Sequence, residues 1–428
     1  MPAPNASAPA ASIRLAEECV GFMARGEYDA VVTHFDSVVS AALPAGKLAE
    51  TWKALLAQVG SFHSQTDVRT EKWRDGDIVF VTCQFDNFLI DVKFVFDAGQ
   101  KISGLWFLPA KPPAEYQLPP YADKDAFNEE EVSVGCVKWR LPATLSIPAR
   151  SGKVPAVVLV HGSGPQDRDE SIGPNKPFCD LASGLASLGI AVLRYDKRTM
   201  VHALTLAAVR DSITVNEETI EDVLAAVEFL RGREMVDSNR MYVLGPSLGG
   251  MLIPRIGSLD RSIAGFILLA APSRPLEDEI LEQVSYLSQL DGQVTESEQA
   301  DLDRITDQVA RVKEPGLSVD TPSSDLPLGV PAKYWLDLRG YSPAGAAPDI
   351  PQPMLILQGE RDYQVTMEDF RGWQAALSAR NNIKFKSYPL LNHLFMEGQD
   401  KSAPDEYEKP GHVAAVVIRD IADWITAR

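Results

Sequence analysis

The sequence predicts an α/β fold with a mostly parallel sheet and a helical cap insertion, preceded by a small α+β domain. From about residue 130 to the end, short apolar runs alternate with helical segments, as a parallel sheet with crossover helices requires. Before residue 110, helical periodicity comes first and strand-like runs follow it, which is typical of a separate α+β unit.

The expected domain boundaries follow from this change of pattern. Residues 1–110 form the α+β domain, and residues 130–428 form the α/β domain. Between them, residues 111–129 lie in a stretch rich in proline and tyrosine and are expected to form a semi-rigid linker. About 80 residues separate two consecutive strands of the larger domain, far more than a normal connection, so a cap insertion is expected over about 273–350.

In the α+β domain, helical periodicity covers residues 12–40 and Lys47–Val59. Four strand-like runs follow, at Val68–Trp73, Ile78–Phe85, Phe88–Phe96 and Ile102–Phe107. No acid/base pair stands out, since Asp86 and Asp91 also fit as exposed strand residues. We therefore expect a structural, dimerising or substrate-gating role for this domain, and a homodimer is left open.

In the α/β domain, seven strands are predicted. They are Val132–Leu145, Ala156–Val160, Ala191–Tyr195, Met241–Leu244, Gly265–Leu269, Met354–Leu357 and Ile383–Tyr388. Helices at Glu217–Leu230 and Val413–Ile425 carry their apolar residues on one face, and the insertion has two more, at Leu276–Leu290 and Glu296–Val312. Cys136 falls within the first strand and is expected to be a buried thiol. The carboxyl ends of the parallel strands then meet at one edge, where open α/β sheets bind ligands.

The most informative stretch is the apolar run from Met241 that ends in Gly245-Pro-Ser-Leu-Gly249. It predicts a buried strand that turns sharply into a helix, with glycines where a Cβ would clash. Ser247 then sits at the apex with strained backbone angles and an exposed hydroxyl, as a nucleophile requires. The alternative is a serine in an ordinary glycine turn.

Two further residues complete a serine triad in the order Ser, acid, His. Asp362 follows the apolar run Pro353–Gly359, and His393 follows the strand-like Ile383–Tyr388. His412, the only other histidine beyond Asp362, follows no strand. Asp362 could instead cap a helix, and His393 could be a loop histidine. The shared order and the position after strands favour catalysis.

A strand from Ala156 opens into the loop His161-Gly-Ser-Gly164, upstream of the serine. Acyl transfer places negative charge on the former carbonyl oxygen, which backbone N–H donors stabilise by roughly 3–4 kcal/mol each. The expected donors are the N–H groups of Leu248 and Ser163, and Gly164 is expected beside the substrate. His161 is expected to brace the loop rather than to act as a second base.

Together these motifs resemble those of the α/β-hydrolase superfamily, and within it a bacterial-type group of esterase-like hydrolases. The resemblance spans roughly residues 130–428 and is carried by His161–Glu170, Ala191–Arg198, the Gly-x-Ser-Leu-Gly-Gly motif and Leu391–Phe395. It implies a Ser-Asp-His mechanism on carboxylic esters of small organic molecules. The first 110 residues resemble, more weakly, the cone-shaped domains of the nuclear-transport-factor and ketosteroid-isomerase superfamily.

One position departs from that resemblance, because Pro246 stands where a histidine is usual. Proline fixes φ and has no N–H, but an extended strand end accepts both, so an intact turn is expected. The charged run Asp167–Glu170 is expected to be an ion-paired brace of the glycine loop, with Asp196–Arg198 as its partner. The alternative is that it binds a polar group of the substrate.

Aromatic residues of the insertion are expected near the nucleophile. Tyr334, Trp335 and Tyr341 would line an acyl or alcohol pocket, or would pack the insertion onto the core. A cap of this size favours a discrete organic ester over a polymer.

Composition limits the partners and cofactors. The chain has 428 residues, 45% of them apolar, and a net charge of −18, which argues against nucleic acid or an anionic membrane surface as partner. No apolar stretch approaches the ~20 residues that span a bilayer, and the first residues lack a signal-peptide pattern, so a cytoplasmic location without membrane insertion is expected. The cysteines and histidines lack metal-ligand spacing, and no phosphate-binding loop is present, so neither metal nor cofactor is expected.

Other activities remain open at this point. An acyltransferase or a thioesterase would use the same residues. A peptidase of the prolyl-oligopeptidase type would share the catalytic domain, but the N-terminal segment is too short for a propeller. A non-catalytic small-molecule-binding protein on the same fold is the alternative of another class.

Overall fold

In the computed structural model, the chain divides into two compact units, Met1–Pro113 and Ala114–Arg428. The structure describes residues 8–73, 76–86, 88–110, 116–207 and 209–428. Residues 111–115, the first part of the expected linker, lie outside the described residues, as do residues 1–7.

The N-terminal unit has the expected order of helices followed by strands. Its helices are α1 (Ala8–Ala24), α2 (Tyr28–Val32), α3 (Ser37–Ala42) and α4 (Ala45–Val59), and its strands are β1 (Phe62–Trp73), β2 (Gly76–Phe85), β3 (Leu89–Phe96) and β4 (Ile102–Pro109). The strands form an antiparallel sheet in the order β1-β2-β3-β4. Buried residues of α1, among them Cys19, and of α4 pack on this sheet, and Cys83 of β2 lies in the same core. The α+β prediction is therefore confirmed.

Asp91 is a correction in this unit. The sequence suggests an exposed strand residue, whereas the Asp91 side chain is buried. Thr82 donates to one of its carboxylate oxygens at 2.6 Å and Arg69 to the other at 2.5 Å. Thr82 lies on β2 and Arg69 on β1, so the pattern along β3 alone could not reveal them. Asp86 is exposed as expected and accepts the N–H of Ser61 at 2.7 Å.

The larger unit is built on one mixed sheet. Its strands among the described residues are β5 (Phe127–Val134), β6 (Leu141–Pro148), β7 (Val154–Leu159), β8 (Ala191–Tyr195), β9 (Val236–Pro246), β10 (Gly265–Leu269), β11 (Met354–Gly359) and β12 (Ile383–Tyr388). They lie in the order β12-β11-β10-β9-β7-β8-β6-β5. Strands β7 to β12 pair in parallel, whereas β6 is antiparallel to β8 and β5 is antiparallel to β6. The predicted α/β class with a mostly parallel sheet is confirmed.

The first predicted strand of this unit is wrong as a single element. It is a hairpin of β5 and β6, with a turn over residues 135–140. Gly135 has a φ of 86°, and a Cβ there would lie 2.2 Å from the carbonyl oxygen of Trp139. Cys136 lies in this turn and is exposed, not buried. The turn contains valine and tryptophan, so hydrophobic periodicity hides it.

Helices cover both faces of this sheet. They are α5 (Pro177–Ser187), α6 (Arg198–Val201), α7 (Ala203–Ala207), α8 (Glu221–Arg231), α9 (Ser247–Met251), α10 (Ile253–Leu259), α11 (Leu276–Ser288), α12 (Glu296–Lys313), α13 (Ala332–Leu338), α14 (Pro343–Ala346), α15 (Met367–Ala376) and α16 (Ala415–Thr426). A π-helical turn over Asn216–Ile220 precedes α8, and 3₁₀ turns occur at Arg210–Ser212, Ser323–Asp325, Pro327–Gly329, Ala347–Asp349 and Pro404–Glu408. Residues of α8, α10 and α15 pack in the core on one face, and residues of α5 and α16 pack on the other. None of the helices in the described parts of the chain has the length and apolar character needed to cross a membrane.

The insertion between β10 and β11 is helical, as expected. It contains α11 to α14 and has a small core of its own, in which Ile280, Ile305 and Trp335 are buried. A capping box starts α12, because the side chain of Thr295 accepts the N–H of Glu298 and the Glu298 carboxylate accepts the N–H of Thr295.

Candidate active site

The sharp turn at the end of β9 holds Ser247 at its apex. Ser247 opens α9 with a φ of 48°, in the left-handed region that non-glycine residues rarely adopt. A Cβ on Gly245 would lie 2.5 Å from the carbonyl carbon of Gly249, and a Cβ on Gly249 would lie 2.4 Å from the carbonyl oxygen of Val160. Both glycines are therefore required by close backbone contacts, which also hold the strained serine in place.

Proline precedes the serine without disturbing the turn. Pro246 has φ −79° and ψ 157°, an extended conformation that suits its fixed φ. It lies at the last position of β9, in register with Leu269 of β10. The departure from the family pattern thus falls where the strand ends.

Asp362 and His393 meet at the same edge of the sheet. Asp362 follows β11, His393 follows β12, and His393 Nδ1 lies 2.7 Å from Asp362 Oδ2. The other carboxylate oxygen accepts the N–H groups of Gln364 at 2.8 Å and Val365 at 3.1 Å. A carboxylate can only accept hydrogen bonds, so the proton of this contact lies on Nδ1 of the imidazole.

The surroundings of His393 favour its protonated form. Burial disfavours the imidazolium, but the charge of Asp362, its hydrogen bond and the charge of Glu170 outweigh burial and raise the pKa of His393 above its ordinary value. Ser247 and His393 line one cavity.

Two backbone N–H groups beside Ser247 have no hydrogen-bond partner among the described residues. They belong to Ser163 and to Leu248, and the Leu248 N–H lies in the first turn of α9, where helical N–H groups lack an intrahelical partner. The N–H of Gly162 is different, because it donates to Glu170 Oε1 at 2.6 Å. The glycine loop runs close to Ser247, since a Cβ on Gly162 would lie 3.4 Å from the Cβ of Ser247.

Glu170 is a residue of this cavity that the sequence did not single out. The charged run from Asp167 is partly a brace, because Arg168 pairs with Asp196 and Asp169 pairs with Arg194. Glu170 instead has a φ of 51° and lines the cavity of Ser247 and His393. Burial raises the pKa of its carboxyl to about 7, against the opposing effects of the Gly162 hydrogen bond and of nearby positive charge. Nothing in the local sequence distinguishes Glu170 from its acidic neighbours.

Ser247 borders two cavities. The smaller, of about 130 Å³, contains His393 and Glu170 and has apolar walls that include Phe178, Leu181, Leu269, Phe395 and Val413. The larger, of about 520 Å³, lies beneath the insertion and is lined by residues that include Gly164, Leu248, Ile280, Tyr334 and Trp335. Ser163, Ser247 and Gln364 line both cavities.

The three predicted aromatic residues differ in position. Tyr334 and Trp335 line the larger cavity, where Tyr334 donates to Glu218 at 2.7 Å and Trp335 donates to the carbonyl of Val330 at 3.2 Å. Tyr341 is not among the described residues that line either cavity. Its hydroxyl donates to the carbonyl of Met251 at 2.7 Å, so it packs the insertion onto the sheet domain.

The two remaining candidate histidines have structural contacts. His161 is buried, and its Nε2 lies 3.1 Å from the carbonyl oxygen of Asp167. Burial, with the charge of Lys197, lowers the pKa of His161 to about 3, so it stays neutral and braces the loop. His412 pairs with Asp180 at 3.0 Å rather than with Asp362.

One cluster of carboxylates in the described residues could hold a metal ion. Oxygens of Glu279, Glu282 and Asp369 lie within 4.8 Å of one another. The guanidinium of Arg274 already pairs with all three carboxylates, at 3.0 Å in the case of Glu279. Arg274 therefore supplies the positive charge that this cluster requires.

A sheet of this order, in which β9 leads through a glycine turn to a half-buried serine with a positive φ, defines the α/β-hydrolase class. The alpha/beta hydrolase family matches residues 157–409, and the chain belongs to this family. Residues 16–105 of the N-terminal unit match a family described as a protein of unknown function (DUF3887).

Among known proteins, the chain is similar to Esterase EstD of Thermotoga maritima. The two are 40% identical over 399 residues, which cover 93% of this chain and 91% of the relative. Among solved structures, Est1E from Butyrivibrio proteoclasticus has 16% identity and a TM-score of 0.45, covering 70% of this chain and 99% of that one. An acylaminoacyl peptidase from Pyrococcus horikoshii has 12% identity and a TM-score of 0.45, covering 86% of this chain and 49% of that one.

Proposed function

We propose that the chain is a serine esterase that cleaves carboxylic esters of small organic molecules through an acyl-enzyme. Ser247 is the nucleophile, His393 the base, and Asp362 the carboxylate that orients the imidazole. The observation that carries the proposal is the 2.7 Å pairing of His393 Nδ1 with Asp362 Oδ2, on the cavity that also holds a strained Ser247. The similarity to Esterase EstD over most of both chains supports ester hydrolysis.

Acylation follows from these positions. Ser247 Oγ attacks the acyl carbon while His393 Nε2 takes its proton, and the Asp362 carboxylate stabilises the imidazolium. The former carbonyl oxygen becomes an oxyanion, which accepts hydrogen bonds from the N–H groups of Ser163 and Leu248. As the carbonyl reforms, the C–O bond to the alcohol breaks, and His393 gives its proton to the leaving oxygen.

Deacylation repeats these steps with water. His393 takes a proton from the attacking water, whose oxygen bonds to the acyl carbon, and the same N–H groups hold the second oxyanion. The bond to Ser247 Oγ then breaks, the serine regains its proton from His393, and the carboxylic acid leaves. Each cycle consumes one ester and one water and yields one acid and one alcohol.

We propose that each cavity takes one half of the substrate. The leaving oxygen must lie next to His393, which protonates it, so the alcohol occupies the smaller cavity of about 130 Å³. The acyl chain then extends beneath the insertion, into the cavity of about 520 Å³. Only the latter reaches the roughly 300–1,000 Å³ of ordinary small-molecule pockets, so we propose a small alcohol and a larger acyl group.

The test is labelling with a fluorophosphonate probe, followed by peptide mass spectrometry. We expect an adduct on Ser247 in the wild type, and almost none in His393→Ala, because the base that activates the serine is missing. His412→Ala and Ser258→Ala are matched controls, since His412 pairs with Asp180 and Ser258 is an exposed helix residue. Turnover of an ester should fall by several orders of magnitude in Ser247→Ala.

Two results would contradict the proposal. If Ser247→Ala retained wild-type turnover, Ser247 would not be the nucleophile. If the folded wild type were not labelled, a non-catalytic binding protein would be favoured. Product analysis with added alcohols, amines or thioesters separates hydrolysis from acyl transfer and from thioester cleavage, which would use the same residues.

A further inference from the structure

A buried lysine holds the glycine loop from behind. The Lys197 side chain is buried, and its Nζ donates to the carbonyl oxygen of Gly162 at 2.8 Å and to Glu218 Oε1 at 2.6 Å. Burying an ammonium group costs several kcal/mol of free energy unless the group is paired. A buried lysine that binds one backbone carbonyl therefore requires a counter-ion, which is Glu218 here. This pairing keeps a charged hydrogen-bond donor, Lys197 Nζ, at the carbonyl of Gly162.

The hydrogen bond to Gly162 also determines where Ser163 points. The carbonyl of Gly162 and the N–H of Ser163 belong to one peptide unit, and in a trans peptide they point in opposite directions. Because Lys197 binds the carbonyl, the N–H of Ser163 is directed away from Lys197. Ser163 lines both cavities that meet at Ser247.

The preceding peptide unit is held as well. The N–H of Gly162 donates to Glu170 Oε1 at 2.6 Å. A buried acidic side chain therefore binds the N–H of Gly162, and a buried basic side chain binds its carbonyl group. The counter-ion of Lys197 is itself anchored, because Glu218 Oε2 accepts the hydroxyl of Tyr334 from α13 at 2.7 Å. The orientation of the loop therefore depends on Glu170 and Lys197 directly, and on Glu218 and Tyr334 through Lys197.

We infer that Lys197 is a positioning residue for ester hydrolysis, which fixes the Gly162–Ser163 peptide so that the Ser163 N–H faces the developing oxyanion. The inference rests on the proposed function, because that function gives Ser163 its role as a donor. Lys197 does not touch the substrate. It acts through the peptide that it binds.

The test compares two variants that differ only at Lys197. Glu218→Gln removes the counter-ion but keeps the lysine amine, which donates to the Gly162 carbonyl in its neutral form as well as its charged form. Lys197→Met with Glu218→Gln removes the donor and leaves no unpaired buried charge. Loss of an oxyanion donor costs about 10²–10³ in kcat, so a misoriented donor should lower kcat on methyl butyrate by about 10- to 100-fold. KM should change little, because the ground-state ester does not depend on this hydrogen bond.

A second readout separates positioning from general damage. A trifluoromethyl ketone forms a tetrahedral adduct with a catalytic serine, so its affinity should fall by the same factor as kcat/KM. The matching methyl ketone, which binds without an adduct, should keep its affinity. Arg198→Met with Asp222→Leu is the control, because it removes a neighbouring buried ion pair and should leave the fluoroketone affinity unchanged.

The outcomes are distinct. Ester turnover that persists in Ser247→Ala would overturn the proposed function and this inference together. If Ser247→Ala is inactive but the Lys197→Met double variant matches Glu218→Gln in kcat and fluoroketone affinity, only the role of Lys197 is wrong. If the methionine variant does not fold, Lys197→Gln with Glu218→Gln serves the same purpose. The side chain at position 197 is then too short to reach the Gly162 carbonyl.

Discussion

The carboxylate of Glu170 accepts the backbone N–H of Gly162 at 2.6 Å, inside the cavity that also contains His393. The negative charge of Glu170 contributes to the raised pKa of His393, and His393 in turn lowers the pKa of Glu170. The glycine loop and the histidine are therefore coupled through one buried carboxyl group, and their titrations belong to the pair.

The first prediction concerns the pH profile of Glu170→Gln. His393 must be neutral to accept the proton of Ser247, so kcat/KM falls as the pH drops through the pKa of His393. That pKa is raised in the wild type, partly by Glu170. Removing the charge should lower it, so the acid limb of the kcat/KM profile should move to lower pH. The control is Glu397→Gln, which changes an exposed glutamate in the loop that contains His393. It should leave the acid limb of the kcat/KM profile at its wild-type position.

The second prediction concerns stability. The pKa of Glu170 is about 7 in the folded protein, above the ordinary 4.5, so the folded state binds the proton more tightly than the unfolded chain. This contribution is complete below about pH 4.5 and is lost as the pH rises through 7. Urea unfolding at different pH values measures this. Between pH 4.5 and 7.5, the free energy of unfolding of the wild type should fall by about 3 kcal/mol relative to that of Glu170→Gln. A difference that stays constant with pH would contradict it.

The third prediction compares two Asp–His pairs in which the aspartate is buried. Asp362→Asn should lower kcat by about 10⁴-fold with the fold retained, because an amide favours the wrong imidazole tautomer and does not stabilise the imidazolium. Asp180→Asn disturbs the pairing with His412 and should reduce stability, without a comparable loss of kcat. Steady-state kinetics and thermal unfolding of both variants provide the check, and equal losses of kcat would count against Asp362.

The fourth prediction concerns the turn at the nucleophile. In Gly249→Ala the new methyl group would lie 2.4 Å from the carbonyl oxygen of Val160, so the backbone must shift. We expect a loss of about 1–3 kcal/mol in the free energy of unfolding, and a large fall in turnover because Ser247 moves with the turn. Gly316→Ala is the control, since a Cβ there meets no atom within 4 Å. If Gly249→Ala retained wild-type turnover, the strained backbone conformation of Ser247 would not be required for catalysis.

The fifth prediction concerns ester specificity. With a constant acyl group, kcat/KM should fall steeply as the alcohol grows, because the cavity at His393 holds only about 130 Å³. With a constant methyl alcohol, kcat/KM should be maintained or rise with longer acyl chains, which the cavity of about 520 Å³ accepts. Initial rates on two matched ester series measure both trends. The reverse pattern would show that the two halves of the substrate are exchanged.

Much of the fold and of the candidate site could be predicted from local patterns. Ser247, Asp362 and His393 each follow a strand, and a strand end is marked by a few consecutive residues. Parallel strands bring their carboxyl ends to one edge, so the order of these residues along the chain was enough to propose that they meet. The hairpin of β5 and β6 escaped because Val137 and Trp139 alternate with Lys138 and Arg140 in its turn, which continues the pattern of a strand.

The sequence by itself determined the α/β class and the identity of the three candidate catalytic residues, because both depend on short-range periodicity and glycine spacing. The tertiary structure alone decided which other side chains share the site. Lys197 and Gly162 are 35 residues apart, and Tyr334 and Glu218 are 116 apart, so their contacts form only when distant segments pack together. Packing also turned Glu170 into the cavity and Tyr341 away from it. Such choices depend on burial and charge pairing in three dimensions, which no local pattern records.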